Sequence, residues 1–314
     1  MTSAFIFPGQ GSQAVGMGKS LADASPEARL VFEEVDDALK QKLSRLMFEG
    51  PEDKLTLTEN AQPALMVVSM ATLRVLEKEG GVSLADKAAF VAGHSLGEYS
   101  ALAAAGVFSL SDAARLLKTR GKAMQDAVPV GEGAMAALLG LELDDVRAVA
   151  EAASAKDEIC MAANDNAPGQ VVVSGAKAAV ERAVEIAKEK GAKRAVLLPV
   201  SAPFHCAMMA PAAERMAEAL AVATMNPPAV PLVANVTASQ VVEPSRIREL
   251  LVEQVTGMVR WRECVLYMRD QGVDRLIELG AGKVLSGLAR RIDREMQAAS
   301  AGTPDEIEAL LADI

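Results

Sequence analysis

The sequence is poor in the residues that bind metals and form crosslinks, with two histidines and three cysteines among 314 residues. Cys160, Cys206 and Cys264 are odd in number and far apart, and no two form a Cys-x-x-Cys pair. This pattern predicts neither a disulfide framework nor a zinc site, so we expect no bound metal and three reduced, mostly buried thiols. A chain with two histidines also offers few candidates for a general base.

Long hydrophobic runs and an excess of basic charge are missing as well. No apolar run approaches the roughly 20 residues of a membrane helix, and the N-terminal Met-Thr-Ser-Ala-Phe lacks the basic start of a secretory signal. We therefore expect a cytoplasmic protein. The formal net charge of −10 argues against nucleic acid as a partner, because phosphate binding needs dense basic patches. An acidic protein partner would need a local basic patch, for which the candidates are Lys188, Lys190, Lys193 and Arg194, or Arg290 and Arg291.

What the sequence does contain is typical of a compact α/β protein, with 51% hydrophobic and 24% charged residues. Short apolar runs at 4–7, 88–92, 230–236 and 275–279 predict buried strands, and helical patterns lie between them. A last core helix is expected from Lys283. Strands that alternate with helices favour a mostly parallel sheet covered on both faces.

Residues 131–199 break this rhythm. They read as strand, helix, strand, strand, helix, strand, which is the order of a ferredoxin-like unit. The turn-forming stretch 164–169 is expected to join the second and third of its strands. We therefore predict a large domain of residues 1–130 and 200–314 with an inserted subdomain of residues 131–199. The predicted strands are 134–139, 159–163, 170–174 and 194–198, and the predicted helices are 144–154 and 177–190.

The segment Gly93-x-Ser95-x-Gly97 has the spacing of a nucleophile elbow. An apolar strand precedes it and a helix follows near Glu98, which is the context that the elbow requires. Its glycines allow the sharp turn that exposes a serine hydroxyl above the sheet. An ordinary tight turn with a helix-capping, solvent-facing Ser95 is the alternative.

A serine hydroxyl needs a neighbouring base to take its proton. His94 lies within the elbow, and its side chain is expected to point away from Ser95. His205 is the remaining candidate; it follows the strand 194–198 by a short loop, and the carboxyl ends of strands are where active sites of open α/β sheets assemble. The alternative is a histidine that only satisfies a loop hydrogen bond.

Two backbone N–H groups are candidates for stabilising an oxyanion. One belongs to Leu96, directly after the nucleophile, and the other to Gln10, in the glycine-containing turn after the first strand. The rival interpretation of that turn is a phosphate-binding loop, but Gly9, Gly11 and Gly16 do not have the full dinucleotide-binding spacing. The segment 280–283 likewise lacks the full glycine spacing of a nucleotide-binding loop.

Arg120 stands out by helical periodicity. In the predicted helix 113–124, residues four positions apart share a face, so Arg120 lies on the apolar face with Leu116 and Met124. A guanidinium on an inward face is costly unless an anion meets it, and its planar shape suits a carboxylate. A structural ion pair, or a helix distorted at Gly121, explains the position equally well at this stage.

Five segments of the chain carry a resemblance to a known family: 7–13, 93–99, 119–125, 204–206 and 280–285. Together they resemble malonyl-CoA:acyl carrier protein transacylases and the acyltransferase domains of polyketide synthases, over nearly the whole chain. The resemblance implies an α/β-hydrolase-like large domain with an inserted ferredoxin-like subdomain. It implies transfer of malonyl from coenzyme A to the phosphopantetheine thiol of acyl carrier protein through an ester on Ser95, with ping-pong kinetics. The coenzyme A thioester is then a substrate, and no bound cofactor is expected.

The resemblance also implies roles for individual residues. Arg120 matches the clamp on the malonyl carboxylate, and Gln254 matches the residue whose backbone carbonyl orients the histidine. Phe204 is expected to narrow the pocket and favour malonyl over methylmalonyl. The side chains expected to face coenzyme A are those of Asn164, Asn166 and Gln170, although ordinary turn chemistry explains them nearly as well. A serine esterase and a non-catalytic scaffold that binds carrier protein are the competing functions.

Overall fold

The computed structural model describes residues 1–200 and 202–314, so Ser201, within the loop predicted before His205, lies outside the described residues. The strands in chain order are β1 (Ser3–Phe7), β2 (Ala88–Gly93), β3 (Gly133–Leu139), β4 (Cys160–Ala167), β5 (Gln170–Ala176), β6 (Arg194–Leu197), β7 (Leu232–Ala234), β8 (Ser239–Val241), β9 (Arg275–Leu279) and β10 (Gln297–Ala301). They form two sheets.

Helices surround both sheets. In chain order they are α1 (Lys19–Ala24), α2 (Pro26–Leu39), α3 (Leu43–Glu49), α4 (Glu52–Leu55), α5 (Thr58–Lys78), α6 (Leu84–Lys87), α7 (Gly97–Ala104), α8 (Leu110–Asp126), α9 (Leu143–Ala153), α10 (Lys177–Glu189), α11 (Ala210–Val222), α12 (Pro244–Thr256), α13 (Trp261–Asp270), α14 (Val284–Ile292) and α15 (Pro304–Leu311). Among the described residues, no helix is both long enough and apolar enough to cross a membrane.

The large sheet has the order β10-β9-β1-β2-β7-β8, and its strands are parallel except for β8. The central strand β1 is buried on both faces: Phe5 and Phe7 pack into one apolar cluster, whereas Ala4 and Ile6 pack into another on the opposite face. This alternation follows from the two-residue period of a strand. The predicted mostly parallel sheet is confirmed.

The sequence interpretation missed two strands of this sheet. β8 has only three residues, and β10, with the sequence QAASA, has no β-branched or aromatic side chain, so neither carries the usual strand signal. The helix that begins after Lys283, α14, is also not the last one, because β10 and α15 follow it.

The small sheet has the order β4-β5-β3-β6 and is antiparallel throughout, which is the order of a ferredoxin-like unit. Its helices α9 and α10 pack with its strands in a separate apolar cluster. The predicted fold class is thereby confirmed. The domain limits at 131 and 199 stay an interpretation.

The predicted turn at 164–169 is wrong in extent. β4 continues to Ala167, and only Pro168 and Gly169 form the turn. Two irregularities in the β4–β5 register, between Ala162 and Asn164 and between Asp165 and Ala167, accommodate the polar residues within the strand. β4 also pairs with the large unit, because Asp165 N–H donates to the Val259 carbonyl at 2.9 Å. This pairing brings the polar end of β4 towards the elbow that follows β2.

Candidate active site

The elbow predicted at Ser95 is present between the end of β2 and the start of α7. Ser95 has a φ of 54°, in the left-handed region. A Cβ atom on Gly93 would lie 2.0 Å from the carbonyl carbon of Gly97, and one on Gly97 would lie 2.2 Å from the Phe7 oxygen. Both positions therefore require glycine, and the turn presents the Ser95 hydroxyl to a cavity.

Asn235, which follows β7, braces the elbow from the neighbouring strand. Its Oδ1 accepts a hydrogen bond from the Ser95 N–H at 2.8 Å, and its Nδ2 donates to the Gly93 carbonyl at 2.7 Å. The side chain is completely buried. Sequence reasoning missed this residue, because nothing near Asn235 in the chain indicates that β7 lies beside β2.

His205 reaches Ser95 as predicted: its Nε2 lies 2.7 Å from the Ser95 Oγ. Its Nδ1 faces the carbonyl oxygens of Gln254, at 2.9 Å, and Gly257, at 3.2 Å. Because a carbonyl oxygen only accepts, Nδ1 carries the proton and the lone pair of Nε2 faces the serine hydroxyl. This is the tautomer that a general base for Ser95 needs.

The route by which His205 arrives differs from the expected one. The strand before it, β6, is an edge strand of the small antiparallel sheet, so the rule about carboxyl ends of parallel strands does not apply to it. His205 instead lies on the segment that returns from the small sheet to α11, with a φ of 58°. A left-handed conformation at a non-glycine residue is a strain that functional sites often retain.

The electrostatic surroundings keep His205 neutral. Burial, together with the positive charge of Arg120, lowers the pKa of His205 to about 3. The imidazole is therefore in its basic, uncharged form over the physiological pH range.

Arg120 lies on the inner face of α8 and is 1% exposed. Its Nη2 donates to the Ser95 Oγ at 3.0 Å and to the Gln254 Oε1 at 2.8 Å, and its Nη1 donates to the Gln62 Oε1 at 2.9 Å. In the described parts of the chain, no ion pair joins this guanidinium to a carboxylate. Hydrogen bonds, and not the structural ion pair that the sequence left open, therefore hold the Arg120 guanidinium in place.

The helix that carries Arg120 is not distorted at Gly121. α8 runs unbroken to Asp126, and a Cβ on Gly121 would lie 2.5 Å from the Thr58 carbonyl oxygen. Gly121 therefore permits the close approach of α5 and α8, which places Arg120 beside the elbow.

The side chain of Gln254 links these groups. Its Nε2 donates to a Glu98 carboxylate oxygen at 2.6 Å and to the Ser95 carbonyl at 3.0 Å, while its Oε1 faces Arg120. The resemblance implied only its backbone carbonyl. Burial raises the pKa of Glu98 to about 7, against hydrogen bonds from Gln254 and Asn235 and the charge of Arg120.

A cavity of about 800 Å³ opens above Ser95. Most of the predicted site residues line it; Gln254 and Gln170 are not among its lining residues. Gln254 is fully buried beneath the cavity, and the Gln170 side chain accepts a hydrogen bond from Arg291. The predicted residues that do line it are Gln10, Ser95, Leu96, Arg120, Asn164, Asn166, Phe204 and His205.

The amide oxygen of Asn166 is engaged by His94. The His94 Nε2 lies 2.8 Å from the Asn166 Oδ1, so this imidazole turns towards β4 and away from the Ser95 hydroxyl, as expected. Burial lowers the pKa of His94. Its contact ties the elbow to the small sheet and leaves His205 as the imidazole beside the Ser95 hydroxyl.

Leu96 and Gln10, whose backbone N–H groups are the predicted oxyanion donors, both line the cavity. Leu96 is the N-cap residue of α7, and Gln10 lies in the turn after β1. Among the hydrogen bonds of the described residues, none uses either amide N–H. Gly9 in this turn also has a packing reason, because a Cβ there would lie 2.8 Å from the His94 carbonyl oxygen. The turn is thus built to pack against the elbow.

Within the described residues no cluster of three or more His, Cys, Asp or Glu side chains suits a metal ion.

Comparisons with known proteins agree with this arrangement. The model of the acyl transferase domain family matches residues 4–303. The malonyl CoA-acyl carrier protein transacylase of Bacillus subtilis (strain 168) is 46% identical over 97% of this chain and 95% of its own length. An acyl-carrier-protein-S-malonyltransferase structure from Bartonella henselae superimposes with a TM-score of 0.97 at 59% identity, covering 100% of this chain and 99% of its own.

A second solved structure contains a malonyl-transacylase in complex with a type II polyketide synthase acyl-carrier protein. It covers 100% of this chain and of its own, with a TM-score of 0.96 and 42% identity. The chain therefore belongs to the acyl transferase family and, within it, to the malonyl-CoA:acyl carrier protein transacylases.

Proposed function

We propose that this enzyme transfers the malonyl group from malonyl-CoA to the phosphopantetheine thiol of acyl carrier protein, through a malonyl ester on Ser95. This reaction supplies malonyl units for fatty acid or polyketide synthesis. The observation that carries the mechanism is the buried Arg120, whose guanidinium lies 3.0 Å from a serine Oγ that is itself 2.7 Å from a neutral imidazole. The transacylase relatives support malonyl as the group transferred.

In the first half-reaction the malonyl carboxylate binds Arg120, because a buried guanidinium without an ionic partner gains most from an anion of matching planar shape. His205 Nε2 takes the proton of the Ser95 hydroxyl as Oγ attacks the thioester carbonyl. The C–S bond then breaks, His205 returns the proton to the sulfur, and coenzyme A leaves as the free thiol.

The negative oxygen of the tetrahedral intermediate is placed between the N–H groups of Leu96 and Gln10. Donors that are preorganised for an oxyanion, with no other acceptor to give up, stabilise the transition state without a reorganisation cost. The positive end of the α7 dipole adds to this stabilisation.

In the second half-reaction the phosphopantetheine thiol replaces coenzyme A. His205 takes the thiol proton, the thiolate attacks the Ser95 ester, and the proton returns to Oγ as the ester bond breaks. The malonyl group stays on Ser95 while coenzyme A leaves and the carrier thiol enters, so the kinetics are ping-pong. The carbonyl oxygens of Gln254 and Gly257 accept from Nδ1 and stabilise the imidazolium where a triad carboxylate stands in other serine enzymes.

Three polar residues and one aromatic residue are assigned to substrate binding. Phe204 borders the cavity directly before the base and restricts substituents at the malonyl α-carbon. Asn164 and Asn166 line the cavity on the β4 side and are assigned to the coenzyme A or pantetheine arm, whereas Gln170 is assigned to its outer part. The buried free thiols Cys160, Cys206 and Cys264 fit a reducing compartment, which supports a cytoplasmic location.

The experiment that tests this function is incubation with radiolabelled malonyl-CoA, with and without phosphopantetheinylated carrier protein. We expect label on the enzyme alone in the absence of carrier, its movement to the carrier on addition, and no label on a Ser95→Ala variant. Release of free malonate at an unchanged rate whether or not carrier is present would favour the serine esterase. Carrier binding without any enzyme-bound label would favour the scaffold.

A further inference from the structure

A buried carboxylate lies under the site without a part in the mechanism above. Glu98 is 1% exposed, and its Oε2 accepts from the Gln254 Nε2 at 2.6 Å and from the Asn235 backbone N–H at 3.3 Å. Burying a charged group without an ion pair is costly, so its retention calls for a compensating role. The direction of its hydrogen bond to Gln254 indicates that role.

The amide of Gln254 has a donor end and an acceptor end, and the two ends face different partners. An ionised carboxylate and a backbone carbonyl both only accept hydrogen bonds, so the Nε2 of Gln254 must face Glu98, at 2.6 Å, and the Ser95 carbonyl oxygen, at 3.0 Å. The Oε1 is thereby turned to the guanidinium of Arg120, 2.8 Å away. With the amide reversed, an NH₂ group would face the Arg120 donors and an oxygen would face the carboxylate, and both contacts would be repulsive.

We propose that Glu98 is a positioning residue: its carboxylate fixes the orientation of the Gln254 amide and, through that amide, holds Arg120 where the carboxylate of the acyl group binds. The inference rests on the proposed function, because it assigns Glu98 to the clamp on that substrate. Arg120 also gains a negative charge one side chain away, because the Gln254 amide stands between the guanidinium and the Glu98 carboxylate.

The base is held differently, which makes the proposal separable from a purely structural role. His205 is oriented by the backbone carbonyl oxygens of Gln254 and Gly257, not by the Gln254 side chain. Loss of the Glu98 charge should therefore weaken the clamp and leave the base in place. An acyl group without a carboxylate, such as acetyl, does not need the clamp.

The test uses Glu98→Gln, which keeps the shape of the side chain and removes the charge that the Gln254 Nε2 faces. The rate of Ser95 acylation is measured with malonyl-CoA and with acetyl-CoA at about pH 8.5. At that pH the Glu98 carboxylate is ionised, although burial raises its pKa to about 7. We expect kcat/KM for malonyl-CoA to fall at least about tenfold, mainly through KM, while that for acetyl-CoA stays within about threefold. An equal loss for both substrates, or no loss for malonyl-CoA, would overturn the proposal.

A second variant keeps the test decisive if Glu98→Gln does not fold, as judged by circular dichroism and thermal unfolding. Glu98→Asp retains the charge but withdraws it from Gln254 by one methylene, and it should show the same selective loss to a smaller extent. In an Arg120→Ala background, Glu98→Gln should leave the ratio of malonyl to acetyl transfer unchanged. A further change in that ratio without Arg120 would contradict the proposed route.

Failure of this inference can be told apart from failure of the proposed function. The wild-type enzyme is assayed first for a malonyl ester on Ser95, and its absence would count against the function itself. When that ester forms, the substrate ratios of the Glu98 variants report on the positioning role alone.

Discussion

The imidazole of His205 lies 2.7 Å from the hydroxyl of Ser95, although 110 residues separate the two in the chain. Both residues have a positive φ, 54° at Ser95 and 58° at His205. Each side chain is thus presented by a strained backbone that neighbouring contacts hold in place, since Asn235 braces the elbow and two carbonyl oxygens fix the imidazole. The site is preorganised before any substrate enters it.

Replacing Arg120 should change the choice of acyl group more than the chemistry. Arg120→Ala is expected to lower kcat/KM for malonyl-CoA by about 100-fold, because a charge-assisted bidentate contact is lost, while acetyl-CoA is used as well as before or better. Arg120→Lys should recover only part of the malonyl activity, because an ammonium cannot match a planar carboxylate. Steady-state transfer to carrier protein measures both. A loss of acetyl transfer as large as that of malonyl transfer would show that Arg120 serves the base or the fold instead.

The charge of Arg120 should also be visible in the pH dependence. Since burial and this charge lower the pKa of His205 to about 3, the reaction of Ser95 with a neutral sulfonyl fluoride should show no acid limb between about pH 5 and pH 8. Removing the positive charge in Arg120→Ala raises the pKa of His205, so its acid limb should move to higher pH. Identical profiles for the two proteins, or a wild-type limb near the ordinary histidine value, would contradict this account.

Substitution of Phe204 tests whether its ring limits the size of the acyl pocket. The wild-type enzyme should prefer malonyl-CoA to methylmalonyl-CoA, because the ring lines the cavity beside the base. Phe204→Ala is expected to reduce that preference by about tenfold, the scale of one methyl group in a filled pocket. The measurement is the ratio of the two kcat/KM values. Equal values for the two substrates in the wild type would remove Phe204 from the list of specificity residues.

Substitution of Gly121 tests whether the close packing of α5 and α8 positions Arg120. In Gly121→Ala the new Cβ would lie 2.5 Å from the Thr58 carbonyl oxygen, so α5 and α8 must separate. We expect the free energy of unfolding to fall by about 1–3 kcal/mol, with a selective loss of malonyl transfer.

Gly287, within α14, is the matched control for that substitution. A Cβ there meets nothing within 4 Å, so Gly287→Ala should raise the free energy of unfolding by about 0.5–1 kcal/mol. Denaturant unfolding of both variants provides the comparison. If Gly121→Ala is as stable as Gly287→Ala, close packing of α5 and α8 is not what requires the glycine.

The parts of the site that the sequence predicted are those encoded locally. The glycines around Ser95 predict a sharp turn, and the helical spacing of apolar residues predicts that Arg120 lies on the inward face of its helix. Each of these signals lies within a few residues of the functional group. The turn expected at 164–169 shows the limit of such reasoning. Its polar residues are strand residues in the structure because β4 pairs with Val259, a partner almost one hundred positions away that no local pattern reveals.

The residues that the sequence could not supply are those defined by long-range contacts. Glu98 directly follows the elbow glycine, yet its burial is set by Gln254 and Asn235, which lie 156 and 137 residues further along the chain. Gln254 was predicted through the family resemblance and only for its backbone carbonyl. Its side chain matters because α12 packs beneath the elbow, which is a property of the fold.

The most direct measurement is mass spectrometry of the peptide that contains Ser95 after rapid quenching of the enzyme with malonyl-CoA. We expect a malonyl ester on Ser95 that forms rapidly in the wild type, disappears when phosphopantetheinylated carrier protein is added, and forms far more slowly in a His205→Ala variant. A malonyl group on any other residue, or an ester that forms equally fast without His205, would contradict this mechanism.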